Sequence, residues 1–128
     1  MNEPVWLSKI ALLLVHRQQM DLFGGPAGIR DEGLLDSALA RPVNLIAYGN
    51  PTLIEMAAAY AFGIVKNHPF LDGNKRTGFL AAAIFLERNG MRVHADQGQV
   101  IASMRMLAAG TLDEKGFAAW LADYADWF

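Results

Sequence analysis

Residues 67–77 read NHPFLDGNKRT, and this polar stretch separates two strongly apolar segments. The two segments, residues 56–65 and 78–86, contain no charged side chain. Segments of this kind predict helices that are apolar on nearly every face and lie at the centre of the fold. The sequence therefore predicts two central helices joined by a short polar turn.

The polar turn contains residues that end one helix and start another. Pro69 disfavours helical backbone at His68, so the first central helix should end near Asn67. Gly73 allows the backbone to approach a ligand closely, and the second helix should begin around Asn74. The turn then precedes a helix start, where free backbone N–H groups can bind an anion.

The charged residues of the turn fit a phosphate ester. Lys75 and Arg76 lie in the first helical turn, where each positive charge opposes the helix dipole by about 0.3–1 kcal/mol unless an anion is bound. Asp72 supplies one carboxylate for Mg²⁺, which is usually held by one or two carboxylates together with substrate phosphates. Imidazole exchanges protons near neutral pH, so His68 is the candidate general base.

Residues 68–77, HPFLDGNKRT, resemble the signature of the Fic/Doc family, and of its Doc branch in particular. Most Fic proteins transfer AMP from ATP to a hydroxyl of a target protein, and their signature reads HPFx(D/E)GNGRxxR. This chain has Lys75 in place of a glycine and Phe79 in place of the second arginine, and both departures match Doc. Residues 28–42, GIRDEGLLDSALARP, are also Doc-like.

The resemblance implies an all-α fold, a compact single-domain helical bundle formed by residues 1–128. It also implies a short flap around residues 42–51, which in the family aligns the target segment by edge-strand pairing. Too few residues are involved for periodicity to distinguish a strand from a helix there, so both stay open.

The resemblance further implies a toxin of a toxin–antitoxin pair. Doc-like toxins transfer the gamma-phosphate of ATP to a threonine of translation elongation factor Tu and so inhibit translation. ATP is then the co-substrate, Mg²⁺ is the cofactor, and a Phd-like antitoxin that binds by a C-terminal helix is the expected partner. The inhibitory pattern (S/T)xxxE(G/N) of self-restrained Fic proteins is absent, because Thr52 and Thr111 each reach a glutamate one residue early.

The chemistry of the turn and the resemblance together assign the site residues. The predicted catalytic residues are His68, Asp72 and Lys75, with Asp72 as the metal ligand. The predicted nucleotide-binding residues are Gly73, Asn74, Lys75, Arg76 and Thr77. Asp72 and Asn74 also fit helix capping or turn roles, and Thr77 also fits a residue that simply begins the helix.

Two other functions stay open. The same residues can serve AMP transfer, but Lys75 fills space that a glycine would leave for a second phosphate, and Phe79 cannot bind phosphate as arginine does. These two residues favour phosphate transfer. The other possibility is a catalytically inactive module that binds a nucleotide or a partner.

Size and composition indicate one domain. The chain has 128 residues, no cysteine and a net charge of -2. This length supports a hydrophobic core without disulfides, and the charge gives no overall attraction to nucleic acid or an anionic membrane. The apolar run at residues 10–15 is too short to span a bilayer. We therefore expect a cytoplasmic protein without direct nucleic-acid or membrane binding.

Apolar periodicity and end signals also assign the remaining elements. Helices are predicted over residues 5–20, 31–40, 96–110 and 111–127, with a disturbance at Arg41-Pro42, a stop at Asn89-Gly90 and an extended connection over residues 91–95. His16 and His94 are interpreted as structural, Arg30 and Arg41 as solvated charges flanking a helix, and Phe70 as an apolar anchor of the turn.

Overall fold

Six helices and two short strands form residues 3–128, the part of the chain that the computed structural model describes. They are α1 (Lys9–Phe23), α2 (Glu32–Ala47), α3 (Leu53–Asn67), α4 (Asn74–Arg88), β1 (Met91–Val93), α5 (Gln97–Ala109), α6 (Glu114–Tyr124) and β2 (Ala125–Trp127). The predicted all-α class is confirmed. None of these helices has both the length and the apolar composition needed to cross a membrane.

Helices α3 and α4 lie at the centre, as their lack of charges predicts. α3 contacts α2, α4, α5 and α6, and nine of its fifteen residues are buried. Small residues bring the helices close together: a Cβ at Gly63 would lie 3.1 Å from the Cα of Ala38 in α2, and one at Gly78 in α4 would lie 3.0 Å from Val65 Cγ2. This close packing fixes the end of α3 and the start of α4. Both helix ends fall where they were predicted.

Helix α2 is longer than predicted, because it continues from Ala40 through Pro42 to Ala47. Proline removes one hydrogen bond from the helix. However, Leu35, Ala38 and Pro42 recur on one face and are all buried, and α2 packs along α3. The burial of this face outweighs the lost hydrogen bond. Residues 42–51 therefore contain the end of a helix and a loop, and no strand.

Arg41 is exposed, as its interpretation from the sequence predicts, but it also joins two helices. Its Nε donates to Glu114 Oε1 of α6 at 3.1 Å, and its guanidinium lies 4.7 Å from the centre of the Phe62 ring in α3. Arg41 thus connects α2 to α6 across the face of α3.

Helix α1 begins at Lys9, four residues later than predicted, and ends at Phe23. The Ser8 side chain accepts a hydrogen bond from the Ala11 N–H and so caps the helix. The backbone before the helix bonds to a different element: Val5 N donates to Asn89 Oδ1, and Val5 O accepts from Asn89 Nδ2. These two bonds hold the segment before α1 against the end of α4.

The C-terminal region differs from the prediction at both ends of its helix. Asp113, not Thr111, is the N-cap of α6, and its side chain accepts from the Gly116 N–H. The helix ends at Tyr124, and residues 125–127 form β2, antiparallel to β1. Trp127 therefore lies in a strand, 67% exposed, and is not part of the buried aromatic face of α6. The predicted extended connection over residues 91–95 is confirmed by β1.

Candidate active site

The turn between α3 and α4 begins with an unusual backbone conformation at His68. Its φ and ψ angles are 51° and 53°, and it is the only non-glycine residue with positive φ in the part of the chain that the structure describes. For a residue with a Cβ atom this left-handed conformation costs about 1–2 kcal/mol. Neighbouring groups must therefore hold His68 in place.

Residues 28–31 supply those groups. The Arg30 guanidinium donates to His68 O from Nε at 2.7 Å and to Asn67 O from Nη2 at 3.0 Å. The backbone N–H groups of Arg30 and Asp31 both donate to Pro69 O, at 2.6 and 3.1 Å. Arg30 is exposed, as predicted, but its interpretation as a merely solvated charge was incomplete, because its side chain also donates to the carbonyls at the end of α3.

The second half of the turn is fixed by His16 and Asn74. The His16 ring is buried and stacks on Phe70 with ring centres 3.8 Å apart, and its Nε2 lies 2.9 Å from Asp72 O. The Asn74 side chain accepts from Phe70 N and donates to Phe70 O, both at 3.0 Å. Phe70 is fully buried, which confirms it as the apolar anchor, and His16 has the structural role assigned to it.

A cleft of about 240 Å³ lies beside the turn. Val65 of α3 and Ala108 of α5 line it, together with six of the seven predicted site residues. These six are His68, Asp72, Gly73, Asn74, Lys75 and Arg76. Thr77 is the exception. It lies in the first turn of α4 and is completely buried, and its hydroxyl has no hydrogen-bond partner within residues 3–128. Its position corrects the assignment to nucleotide binding, because a side chain inside the core does not reach the cleft.

The floor of the cleft is the amino terminus of α4. The first intrahelical bond runs from Thr77 N to Gly73 O at 2.9 Å, so the three preceding N–H groups have no acceptor in the helix. The first turn contains no acidic residue, and Gly73 gives no side-chain cap. With Lys75 and Arg76 exposed beside these N–H groups, this end of the helix favours an anion.

Two glycines adjoin Asp72, and only one of them, Gly73, was assigned to the site from the sequence. Gly73 has φ 75°, a conformation that favours glycine. Gly25, in the loop after α1, has φ 108°, and a Cβ there would lie 2.6 Å from Asp72 Oδ2. Gly25 thus leaves room for the carboxylate, a role with no signal in the sequence beyond a glycine-rich loop.

The donor set fits a magnesium–nucleotide complex better than a metal bound by the protein alone. Asp72 is exposed; its Oδ1 accepts from Gly73 N at 2.7 Å, and its Oδ2 faces Gly25. Residues 3–128 contain no cluster of three or more His, Cys, Asp or Glu side chains that could hold a metal ion. A single carboxylate beside an anion site suits Mg²⁺, which takes its remaining ligands from phosphates and water.

Comparison with known proteins gives the family. A sequence model described as the Fic/DOC family matches residues 6–86, more than half of the chain. The chain belongs to the Fic/DOC family. It is 42% identical over 108 residues to the Toxin Doc of Mycolicibacterium smegmatis, and the matched region covers 80% of this chain and 82% of that protein. It is 34% identical over 88 residues to the Protein kinase doc of Escherichia phage P1, with 68% and 70% covered.

The two positions at which this Fic/DOC chain departs from the Fic signature differ in whether they line the cleft. Lys75 lines the cleft. Phe79 does not: it lies one turn along α4, packs edge-on against Trp120 with ring centres 6.4 Å apart, and lines a neighbouring apolar groove. The Fic/DOC site of this chain therefore has a lysine at the anion position and no arginine from position 79.

Proposed function

We propose that this chain is a Doc-like toxin kinase that transfers the gamma-phosphate of ATP to a hydroxyl group of a protein. The observation that carries the proposal is the convergence of His68, Asp72, Lys75 and Arg76 on one cleft at the amino terminus of α4. The names of the two relatives, a toxin and a protein kinase, support it.

His68 acts as the general base. It is exposed at the edge of the cleft, on a backbone held by hydrogen bonds, so its imidazole is accessible to a protein hydroxyl. The hydroxyl proton passes to the imidazole as the oxygen attacks the gamma-phosphorus. The bond from that phosphorus to the bridging oxygen breaks, ADP leaves with the electron pair, and His68 then releases its proton to solvent.

The start of α4 stabilises the charge on the phosphates. The free N–H groups of the first helical turn, with Lys75 and Arg76, are donors fixed before the reaction begins, which is the main source of catalysis in phosphoryl transfer. Asp72 would hold Mg²⁺ at the edge of the same cleft. When bound, Mg²⁺ neutralises phosphate charge and orients the triphosphate.

Lys75 and Phe79, the two departures from the Fic signature, favour transfer of the gamma-phosphate over transfer of AMP. Lys75 lines the cleft, whereas Phe79 lines only the neighbouring apolar groove, which Lys75 also borders. By resemblance the acceptor is a threonine of elongation factor Tu, which makes the protein a cytoplasmic inhibitor of translation.

Labelled ATP distinguishes the two reactions. The purified protein is incubated with elongation factor Tu, Mg²⁺ and ATP labelled on either the alpha or the gamma phosphate, with His68→Ala as the control. We expect label on the target only from the gamma position and only with the wild-type chain. Label from the alpha position on the target would replace this proposal with AMP transfer.

The apolar groove next to the cleft fits the antitoxin. It has a volume of about 490 Å³, runs between α1, α4 and α5, and is lined by Leu22, Phe23, Phe79, Leu80, Val100, Ile101 and Met104. Basic side chains from Lys75, Arg76 and Arg105 adjoin this apolar surface. An amphipathic helix with acidic residues along one edge complements it, as expected for the C-terminal segment of a Phd-like antitoxin.

Groove and cleft share Lys75 and Arg76, so a helix in the groove occupies the cations that the phosphates need. We expect a C-terminal antitoxin peptide to lower the affinity for ATP. Arg105→Glu should weaken peptide binding and leave ATP binding unchanged, because Arg105 lines only the groove. Equal binding of the peptide to wild-type and Arg105→Glu proteins, measured by calorimetry, would place the antitoxin on another surface.

A further inference from the structure

We propose that Arg30 is a positioning residue for the reaction, because its guanidinium fixes the backbone of His68 and so the direction of the imidazole. The inference rests on the proposed function in taking His68 as the general base. Arg30 lies in the connection between α1 and α2, far from His68 in the chain, and its side chain reaches the carbonyl oxygens of Asn67 and His68.

The bond to His68 O controls the conformation of His68. The two peptide groups that flank a residue determine its φ and ψ, and these angles set the direction of the Cα–Cβ bond. At His68 the preceding peptide is held by the bond from His68 N to Ile64 O at 3.1 Å. The following peptide is held by Arg30 Nε, which donates to His68 O at 2.7 Å. With both peptides held, the left-handed conformation is retained despite its intrinsic cost.

The other contacts of residues 28–31 do not perform this task. The N–H groups of Arg30 and Asp31 hold Pro69 O, and Leu71 N donates to Gly28 O at 3.1 Å. All three bonds lie after His68 in the turn and come from backbone groups that any residue at position 30 retains. Replacement of the Arg30 side chain therefore frees His68 O while the turn stays attached.

A simpler role for Arg30 is to cap α3. A cation at a helix C-terminus binds the last carbonyls and interacts favourably with the helix dipole. Such a cap contributes to stability and does not affect the reaction separately. The two roles differ in what an Arg30 variant loses: the cap predicts a lower melting temperature with unchanged turnover per folded molecule, whereas positioning predicts lower turnover in a protein that still binds nucleotide.

The test compares Arg30→Ala, Arg30→Lys and a matched control, Arg88→Ala. Arg88 is a cation in the last turn of the other central helix, α4, and does not line the cleft. We measure turnover with gamma-labelled ATP, the dissociation constant for ADP, the melting temperature, and the NMR signals of the His68 imidazole without nucleotide.

For Arg30→Ala we expect shifted and broadened His68 signals, a kcat lower by about 10–100-fold and an ADP affinity within about twofold of wild type. Arg30→Lys should restore part of the turnover, because an ammonium can bond to one carbonyl but cannot reproduce the planar fork. Arg88→Ala should match the wild type. If Arg30→Ala fails to fold, Arg30→Lys carries the same test, with reduced kcat at unchanged melting temperature.

Unchanged His68 signals, or a kcat that falls only in step with stability, would overturn the positioning role. If the wild-type protein transfers no phosphate, the proposed kinase function fails. The His68 signals of Arg30→Ala still decide whether Arg30 holds the histidine.

Discussion

Asn74 gives the sharpest test of how the site is divided between chemistry and support. The family resemblance assigns its side chain to phosphate, whereas in the structure Asn74 is 5% exposed and both polar atoms of its side chain are bonded to the backbone of Phe70. We therefore expect Asn74→Ala to reduce stability and to leave the affinity for ADP within about twofold, since the backbone N–H groups at the helix start remain.

The size of the effect follows from the two lost bonds. Replacement by alanine leaves the buried N–H and C=O of Phe70 without partners, at about 1–3 kcal/mol each. Because the cleft adjoins Asn74, water can satisfy part of this loss, and we expect a total of about 2–4 kcal/mol. For a domain of this size that lowers the melting temperature by roughly 10 °C.

The assay combines urea unfolding, followed by tryptophan fluorescence, with calorimetric titration of ADP. Thr77→Val is the matched control in the same helical turn, because it replaces a buried hydroxyl that has no partner among residues 3–128 by a methyl group of similar size. It should leave stability unchanged or raise it. An Asn74→Ala protein of wild-type stability that no longer binds ADP would refute this reasoning. It would show that the Asn74 side chain contacts phosphate.

Three further predictions concern the chemistry and the core. His68→Ala should abolish phosphate transfer and growth inhibition while ADP still binds; growth inhibition that persists would indicate a catalytically inactive binding module. Lys75→Gly should reduce gamma-phosphate transfer by about 100-fold, measured with labelled ATP, and unchanged transfer would exclude Lys75 from stabilising the transferred group. Burial raises the pKa of Tyr60, against a smaller lowering by its hydrogen bond from Leu7 N. The stability linked to Tyr60 is therefore fully present below its unfolded pKa of about 10 and is lost as pH rises through the higher folded pKa, so Tyr60→Phe should flatten the alkaline decline of the unfolding free energy.

The ends of the two central helices could be predicted because the signals are local. Pro69 acts on the residue before it, and Gly73 permits the conformation that precedes a helix. The continuation of α2 through Pro42 could not be predicted in the same way. The local signal at proline is for interruption, and only the packing of Leu35 and Ala38 on α3 overrides it.

The role of Arg30 was missed for a related reason. Its acceptors are backbone carbonyls 37 and 38 residues along the chain, and a carbonyl leaves no mark on the sequence. A basic residue beside a helix looks the same whether it is solvated or bonded to a distant helix end. The left-handed conformation of His68 is equally invisible, since it depends on contacts of both adjacent peptides and not on the identity of the residue.

The polar residues of the turn fall into two sets that the signature alone does not separate. Asn74 uses its side chain on backbone atoms of the turn, as does His16 of α1 from outside the signature, so these polar groups are already committed. His68 and Lys75 are exposed on the cleft with groups free to meet a substrate. Substitutions in the first set should therefore change stability or geometry, and substitutions in the second should change the reaction at constant stability. A family signature contains both sets because a reactive side chain at a fixed position requires a rigid turn to hold it.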